Sequence, residues 1–451
     1  MNKSVSIILV FSSILMPIII LCVTGSFATF GIAVIVLLLL IATTAAINGW
    51  KEYPLYNTLL FTYCIYTLFA ILHYYQIVNN ELDSSADEVH YFIPFVDKLL
   101  AQNISFNRLV TESLQYNFYG EHYGYLIYIG CFALIGEYCL GDYNVMQLLL
   151  SSVLLGCSYS IILFKTIAIY QSKAKAYKYT TIYMLCTPIV MSSFVILRDL
   201  FVALLFLIGI YIVLKNKSFI KGMFVLIISF LILTSLRLEH ALFFALIIVI
   251  FIYQKLSRYK VLSISLFAIS AFLFFAVIQN TISTMSDTLS TYNDFTKDHA
   301  NNVGLAMKLL SLPTPIKEIA CTLFSQIFPI PPWASLLEGV KSFPDFIFSI
   351  LSMIKTVCWF YIAFCVVKWY CKYNTKIKKY NLNLLLLATM LLIVACSSEY
   401  YESRRMMCMY PIIYITFILL KNKLTSKQRK RTNSQFITLY SSLLLIYYII
   451  L

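Results

Sequence analysis

Apolar residues run along this chain in long blocks separated by short polar stretches. A helix that crosses a bilayer needs about 20 mainly apolar residues, because hydrocarbon offers its backbone no hydrogen-bond partner. Blocks of that kind fall near 4–24, 27–47, 55–78, 143–170, 179–197, 200–214, 222–236, 241–254, 261–279, 346–367, 381–397, 406–420 and 435–451. The pattern predicts an all-α, polytopic transmembrane helical bundle of about 13 spans, with residues 1–451 as a single membrane domain. A further apolar stretch, 124–140, is short and contains Gly124, Gly130, Gly136 and Glu137, so it reads as a re-entrant or interfacial helix. The first block resembles a signal peptide, with Lys3 ahead of it and small residues after it, but its length and the second block behind it favour an uncleaved hairpin.

Composition agrees with the pattern. Hydrophobic residues make up 61% of the chain and charged residues 12%, about half the charged fraction of an ordinary soluble domain, which excludes a water-soluble enzyme. The 34 Tyr, 34 Phe and 4 Trp exclude a disordered chain. The net charge of +14 gains meaning once it is divided by side. Lys and Arg in short loops stay cytoplasmic. The basic loops around Lys173–Lys178, Lys215–Lys221, Lys255–Lys260, 368–379 and 421–431 all share one side if 124–140 does not cross. The N-terminus is then cytoplasmic and the C-terminus exoplasmic. The inner side receives 23 of the 34 basic residues and one acid, Glu52, while the other 19 acids lie in the outer half. The inner charge suits an anchor against anionic lipid headgroups, and the expected partner of that surface is the lipid bilayer, not nucleic acid.

Sequence motifs narrow the chemistry mainly by exclusion. Most of the 12 cysteines sit within apolar blocks, none forms a C-x-x-C pair, and no His/Cys cluster has zinc spacing. Cys131 and Cys139, two helical turns apart, are badly spaced for a disulfide. The chain carries no Walker loop, G-x-G-x-x-G or G-x-S-x-G, and its inner loops hold no acid suited to magnesium, which disfavours nucleotide hydrolysis.

The outer half has two long loops, 79–123 and 280–345. The first opens with Glu81, Asp83, Asp87, Glu88, His90 and Tyr91, then an amphipathic segment with Phe92, Phe95, Val96, Leu99 and Leu100 on one side, expected to lie along the membrane surface. Ser84, Ser85 and Asp87 suit a helix cap; Asp87 and Glu88 equally suit a general base or metal-associated acid at the lipid–water boundary. Three more charged groups sit at span ends on the same side: Arg198 with Asp199; Arg237 with Glu239 and His240; and Glu399, Glu402, Arg404 and Arg405. Such residues either pair locally or line a polar cavity. The second loop has a polar first half, Thr281 to Asn302, and a half rich in proline (Pro313, Pro315, Pro329, Pro331, Pro332) that reads as an ordered lid; Lys308, Lys317 and Lys341 read as solvated.

Carboxylates and arginines at an outer interface fit sugar transfer from a lipid-linked donor. Arginine stabilises the charge on a departing polyprenyl phosphate or pyrophosphate. A carboxylate takes the proton of the attacking hydroxyl. Tyr116, Tyr119, Tyr123 and Trp333 suit sugar stacking or the headgroup belt. The donor's own bond carries the energy, so no cofactor is required; a divalent metal is compatible, and no metal ligand set is assigned.

The segments "SSADEVHYF", "LRD", "LRLEH" and "ESRRMMCMYP" in this layout resemble the GT-C superfamily of integral-membrane glycosyltransferases and the polymerases that join lipid-linked repeat units of O-antigen or capsule. The resemblance implies a multi-pass protein of the bacterial inner membrane with its active side toward the periplasm or cell exterior. It implies a polyprenyl-linked sugar or oligosaccharide donor, a glycan acceptor, and other membrane proteins of polysaccharide assembly as partners. By it Asp87 or Glu88 is the base or metal-associated acid; Arg198, Arg237, Arg404 and Arg405 hold the lipid phosphate; and Asp199, Glu239, His240, Glu402, His90 and Tyr91 support them. The extra N-terminal hairpin and an arginine-poor second loop depart from the family pattern, which leaves open repeat-unit polymerisation against transfer of a single sugar to lipid A, a glycan or a protein. A lipid-linked oligosaccharide flippase or secondary transporter is the alternative from another class.

Overall fold

A chain this apolar satisfies its backbone most cheaply within helices. The computed structural model describes residues 3–48, 52–82, 87–116, 123–215, 218–256, 312–313, 316–327, 330–337, 340–373, 380–399 and 405–450; among these, every regular element is helical. Among the described residues, seven helices are long and apolar enough to cross a membrane: Val5–Thr24, Phe27–Ala46, Tyr53–Val78, Met146–Ala168, Phe219–Leu236, Leu238–Lys255 and Phe343–Tyr370. Tyr123–Cys139, Leu382–Ile393 and Met407–Lys421 are apolar but shorter. The block 261–279 and the polar half of the second long loop lie outside the described residues.

The chain forms two compact units. The first comprises Met1–Tyr211, Leu231–Leu238 and Pro332–Cys358, and the second Ile212–Phe230, Glu239–Pro331 and Trp359–Leu451. In the first unit, α1 (Lys3–Thr24) and α2 (Phe27–Asn48) form the expected hairpin, and α3 (Tyr53–Val78) packs on α1 and α7 (Met146–Ala168). Between α3 and α7 come α4 (Ile93–Ala101), α5 (Phe106–Tyr116) and α6 (Tyr123–Leu134), the last running into a wide π turn over Ile135–Cys139. The apolar side of α4 is covered by the protein: Phe92, Phe95, Val96 and Leu99 are buried, and α4 packs against α6. The glycines of 124–140 stand at close approaches. A methyl group on Gly130 would strike the Leu109 side chain of α5, and one on Gly124 would strike Ser235.

The run expected as one span over 179–197 is broken. Helix α8 (Lys173–Cys186) ends where Thr187 turns extended (φ −130°, ψ 168°) ahead of Pro188. Proline disfavours helical angles in the residue before it and lacks the N–H that the next turn needs. A single turn, α9 (Ile189–Ser192), follows; residues 193–198 are irregular, and α10 (Asp199–Lys215) then resumes the helix. Helix α7 closes on this break through Gly156, where a Cβ would lie 2.9 Å from Ser193 Cβ and 3.0 Å from Tyr66 Cδ2.

In the second unit, Trp359 stacks on Tyr410 with ring centroids 3.8 Å apart, and its indole donates to Gln326 Oε1 at 2.8 Å. Farther along the same long helix, Trp369 donates to Thr432 Oγ1 at 3.1 Å.

The close approach at Gly156 is testable. Gly156→Val overpacks the contact with Ser193 and Tyr66 and is expected to lower stability by about 1–3 kcal/mol, read as a lower unfolding temperature of the detergent-solubilised protein; an unchanged temperature contradicts the packing described.

Candidate functional site

Backbone that leaves a helix inside an apolar protein must find partners for its N–H and C=O groups. Around the break at 187–198 the partners are side chains. The Tyr66 hydroxyl donates to the Met184 carbonyl at 2.9 Å and Thr187 Oγ1 to that of Tyr183 at 2.7 Å, serving two of the last carbonyls of α8. Ser193 Oγ donates to Ile189 O and Ser152 Oγ to Val195 O, each at 2.8 Å. The N–H of Ile196 donates to Glu88 Oε1.

Glu88 is 3% exposed and opens a π turn, Glu88–Phe92, that leads into α4. Its second oxygen, Oε2, meets His73 Nε2 at 2.8 Å. His73 Nδ1 lies 2.9 Å from Gln76 Oε1, and Gln76 Nε2 donates to Asp345 Oδ1. Asp345 Oδ2 accepts the N–H of Lys341 at 3.2 Å, at the exposed start of the helix Phe343–Tyr373. Phe194 and Phe348, stacked at 4.8 Å, both place their edges or faces within about 6 Å of the His73 ring and so line its apolar side.

A second charged cluster follows directly. Asp199 opens α10, and its Oδ1 accepts Arg237 Nη1 at 2.8 Å, with side-chain exposures of 4% and 5%. Arg237 sits between α11 (Phe219–Leu236) and α12 (Leu238–Leu256). Arg198 Nη1 reaches the Leu236 carbonyl at 3.3 Å. The two arginine-bearing breaks are thus zipped together by a pair that spans 38 residues. Tyr125 of α6 is fully buried beside Ser152, within electrostatic reach of both Glu88 and Asp199.

The other expected site residues divide as follows. Asp87 is exposed and takes helical backbone angles at the head of the π turn. His90 is exposed; Tyr91 is half-buried with its ring 5.3 Å from Phe92 and 5.5 Å from Tyr116. In the second unit Glu239 is half-buried, and buried His240 places Nε2 2.9 Å from the Arg405 carbonyl. Glu402 and Arg404 lie outside the described residues. In the first unit, desolvation lifts the Asp97 carboxyl above the usual carboxylate range; burial, and then the charge of Asp97, lift the Tyr116 hydroxyl.

His73, Gln76, Asp345, Tyr125 and Ser152 were not singled out from the sequence. A signal existed for the first two: a histidine and a glutamine three residues apart share one face of an otherwise apolar helix. For Asp345, 269 residues beyond Gln76, there was none. Among the described residues no group of three or more His, Cys, Asp or Glu is placed to hold a metal ion.

No family model, curated protein or solved structure matches this chain.

The buried pair carries a stability prediction. Arg237→Met leaves Asp199 buried without its partner and is expected to cost about 3–5 kcal/mol, whereas the double variant Arg237→Met with Asp199→Leu recovers most of that loss, since an apolar pair of similar volume replaces a desolvated ion pair. Thermal unfolding of the three purified proteins checks it; equal unfolding temperatures for the single variant and the wild type contradict the pairing.

Proposed function

We propose that this chain transfers sugar or oligosaccharide units from a polyprenyl-(pyro)phosphate-linked donor at the exoplasmic face of the bacterial inner membrane, in assembly of a surface polysaccharide. Repeat-unit polymerisation is the leading form, and addition of a single sugar is the alternative within the class. The topology that goes with it has about 13 spans, a cytoplasmic N-terminus, a basic inner skin and an acidic outer face. Asp87 takes the proton of the attacking hydroxyl and Arg198 faces the lipid phosphate, while the buried Arg237 holds Asp199 beside it.

One observation carries the reading: acidic and basic groups far apart in the chain gather at one end of the helices of the first unit. Asp87 adjoins the residue that holds Ile196, Arg198 follows Ile196 by two positions, and Asp199 holds Arg237. Asp87 is the carboxylate assigned as base because it is exposed, whereas both oxygens of Glu88 are occupied. Arginine at a helix start, with apolar surroundings, suits a leaving group that carries its own negative charge.

The broken segment 187–198 favours a second reading from another class. Interrupted helices with buried charge are a device of secondary transporters, so transport or flipping of a lipid-linked oligosaccharide is the competing function.

Glycan ladders separate these readings. Asp87→Asn is expected to reduce long-chain surface glycan by roughly 100-fold, the scale of a lost general base, with Arg198→Gln also depleting it at wild-type protein levels. Accumulation of single lipid-linked repeats on the outer face supports polymerisation, their retention on the cytoplasmic face supports flipping, and normal long chains from both variants overturn the transferase reading.

A further inference from the structure

Hydrogen-bond direction in the Glu88 network can be worked out from its outer end inward. Asp345 accepts at both oxygens, from the Lys341 N–H and from Gln76. A carboxylate accepts and an amide NH2 donates, so the Gln76 amide must turn its nitrogen to Asp345 and its oxygen to His73. An amide oxygen only accepts, so His73 Nδ1 carries a hydrogen. That leaves Nε2 facing Glu88 Oε2 at 2.8 Å.

The gap between Nε2 and Oε2 holds one proton. With none, two lone pairs face each other at hydrogen-bond distance; with two, an imidazolium N–H meets a carboxyl O–H. One proton gives either imidazolium with carboxylate or neutral imidazole with carboxylic acid, and both forms are neutral as a pair. A neutral pair is what a site lined by Phe194 and Phe348 tolerates, since an uncompensated buried charge is costly.

We infer that His73 and Glu88 share a single proton and together form a charge-neutral clamp on the Ile196 N–H, so that they position Arg198 and Asp199 and Glu88 is not the base. Asp345, through Gln76, sets the tautomer of the clamp. The inference deepens the proposed transferase reading and rests on it only for the activity readout.

Glu88→Gln tests it. The glutamine oxygen can accept from Ile196 and its NH2 can donate to Nε2 of a histidine already protonated at Nδ1, so the variant copies the acid form of the clamp. The expected result is an unfolding temperature and a glycan ladder like those of the wild type, with both lost in Glu88→Ala. A stable Glu88→Gln protein that makes no long chains overturns the inference by making Glu88 the base; a Glu88→Gln protein as unstable as Glu88→Ala overturns it by removing the shared-proton geometry. The direction of the network has its own check. Gln76→Glu opposes two carboxylates across the Asp345 contact and lowers the unfolding temperature, and adding Asp345→Asn restores a donor there and brings the temperature back; no recovery overturns the assignment. The unfolding temperatures judge the clamp even if the ladder is normal in every variant, Asp87→Asn included, an outcome that counts against the transferase reading alone.

Discussion

The obligation to satisfy backbone that has left the helix, in a chain too apolar to rely on water, governs the first unit. Pro188 ends a helix within an apolar run, and the freed groups around it are met by Tyr66, Thr187, Ser193, Ser152 and Glu88. Each of these bonds contributes modestly, but an unmet buried group costs about 1–3 kcal/mol, so the break depends on its own Thr187 and Ser193 and on Tyr66, Ser152 and Glu88 from the surrounding elements. The polar residues of α3 and α7 therefore serve the break as much as the helices that carry them. Gly156 belongs to the same arrangement, because a side chain there would separate α7 from Ser193.

From the break follow the positions of the charges. Residues 193–198 end on Arg198 and deliver Asp199 to the first turn of α10, where it meets Arg237 from a second helix junction. A buried ion pair of this kind is weak evidence for stability, since desolvation offsets most of the attraction. Its effect is to fix which junction lies beside which. Glu88 acts on the same segment, so a buried acid ahead of α4 holds Ile196, and an ion pair between α10 and the α11–α12 junction holds Asp199 three residues on.

The two carboxylates Asp87 and Glu88 show why adjacent residues of one type need not share a role. In the π turn they point into different surroundings: Asp87 is exposed, and Glu88 is 3% exposed with both oxygens occupied. Spacing alone makes the pair interchangeable, and burial separates them. His240 and Arg405 teach a similar lesson in the second unit, where the residues singled out for their charge meet through a ring nitrogen and a backbone carbonyl.

The apolar blocks that became the seven long helices were legible from the residues alone, because hydrophobic composition and length are local properties of a chain; Lys173–Lys178, read as a loop, instead open α8. The same holds for the N-terminal hairpin, the amphipathic α4 and the clustering of acids and arginines at span ends. Pro188 was a visible signal for the break in 179–197, overridden by the apolar run around it. What tertiary structure decided was partnership: that Asp199 pairs with Arg237 from a distant helix junction, that the apolar side of α4 covers α6, and that Glu88 meets His73, which leads through Gln76 to Asp345. The reason is physical. A sequence determines which groups must be buried or solvated, but a buried polar group is satisfied by whatever the packing of distant helices brings within about 3 Å, and that distance is set only when the helices meet.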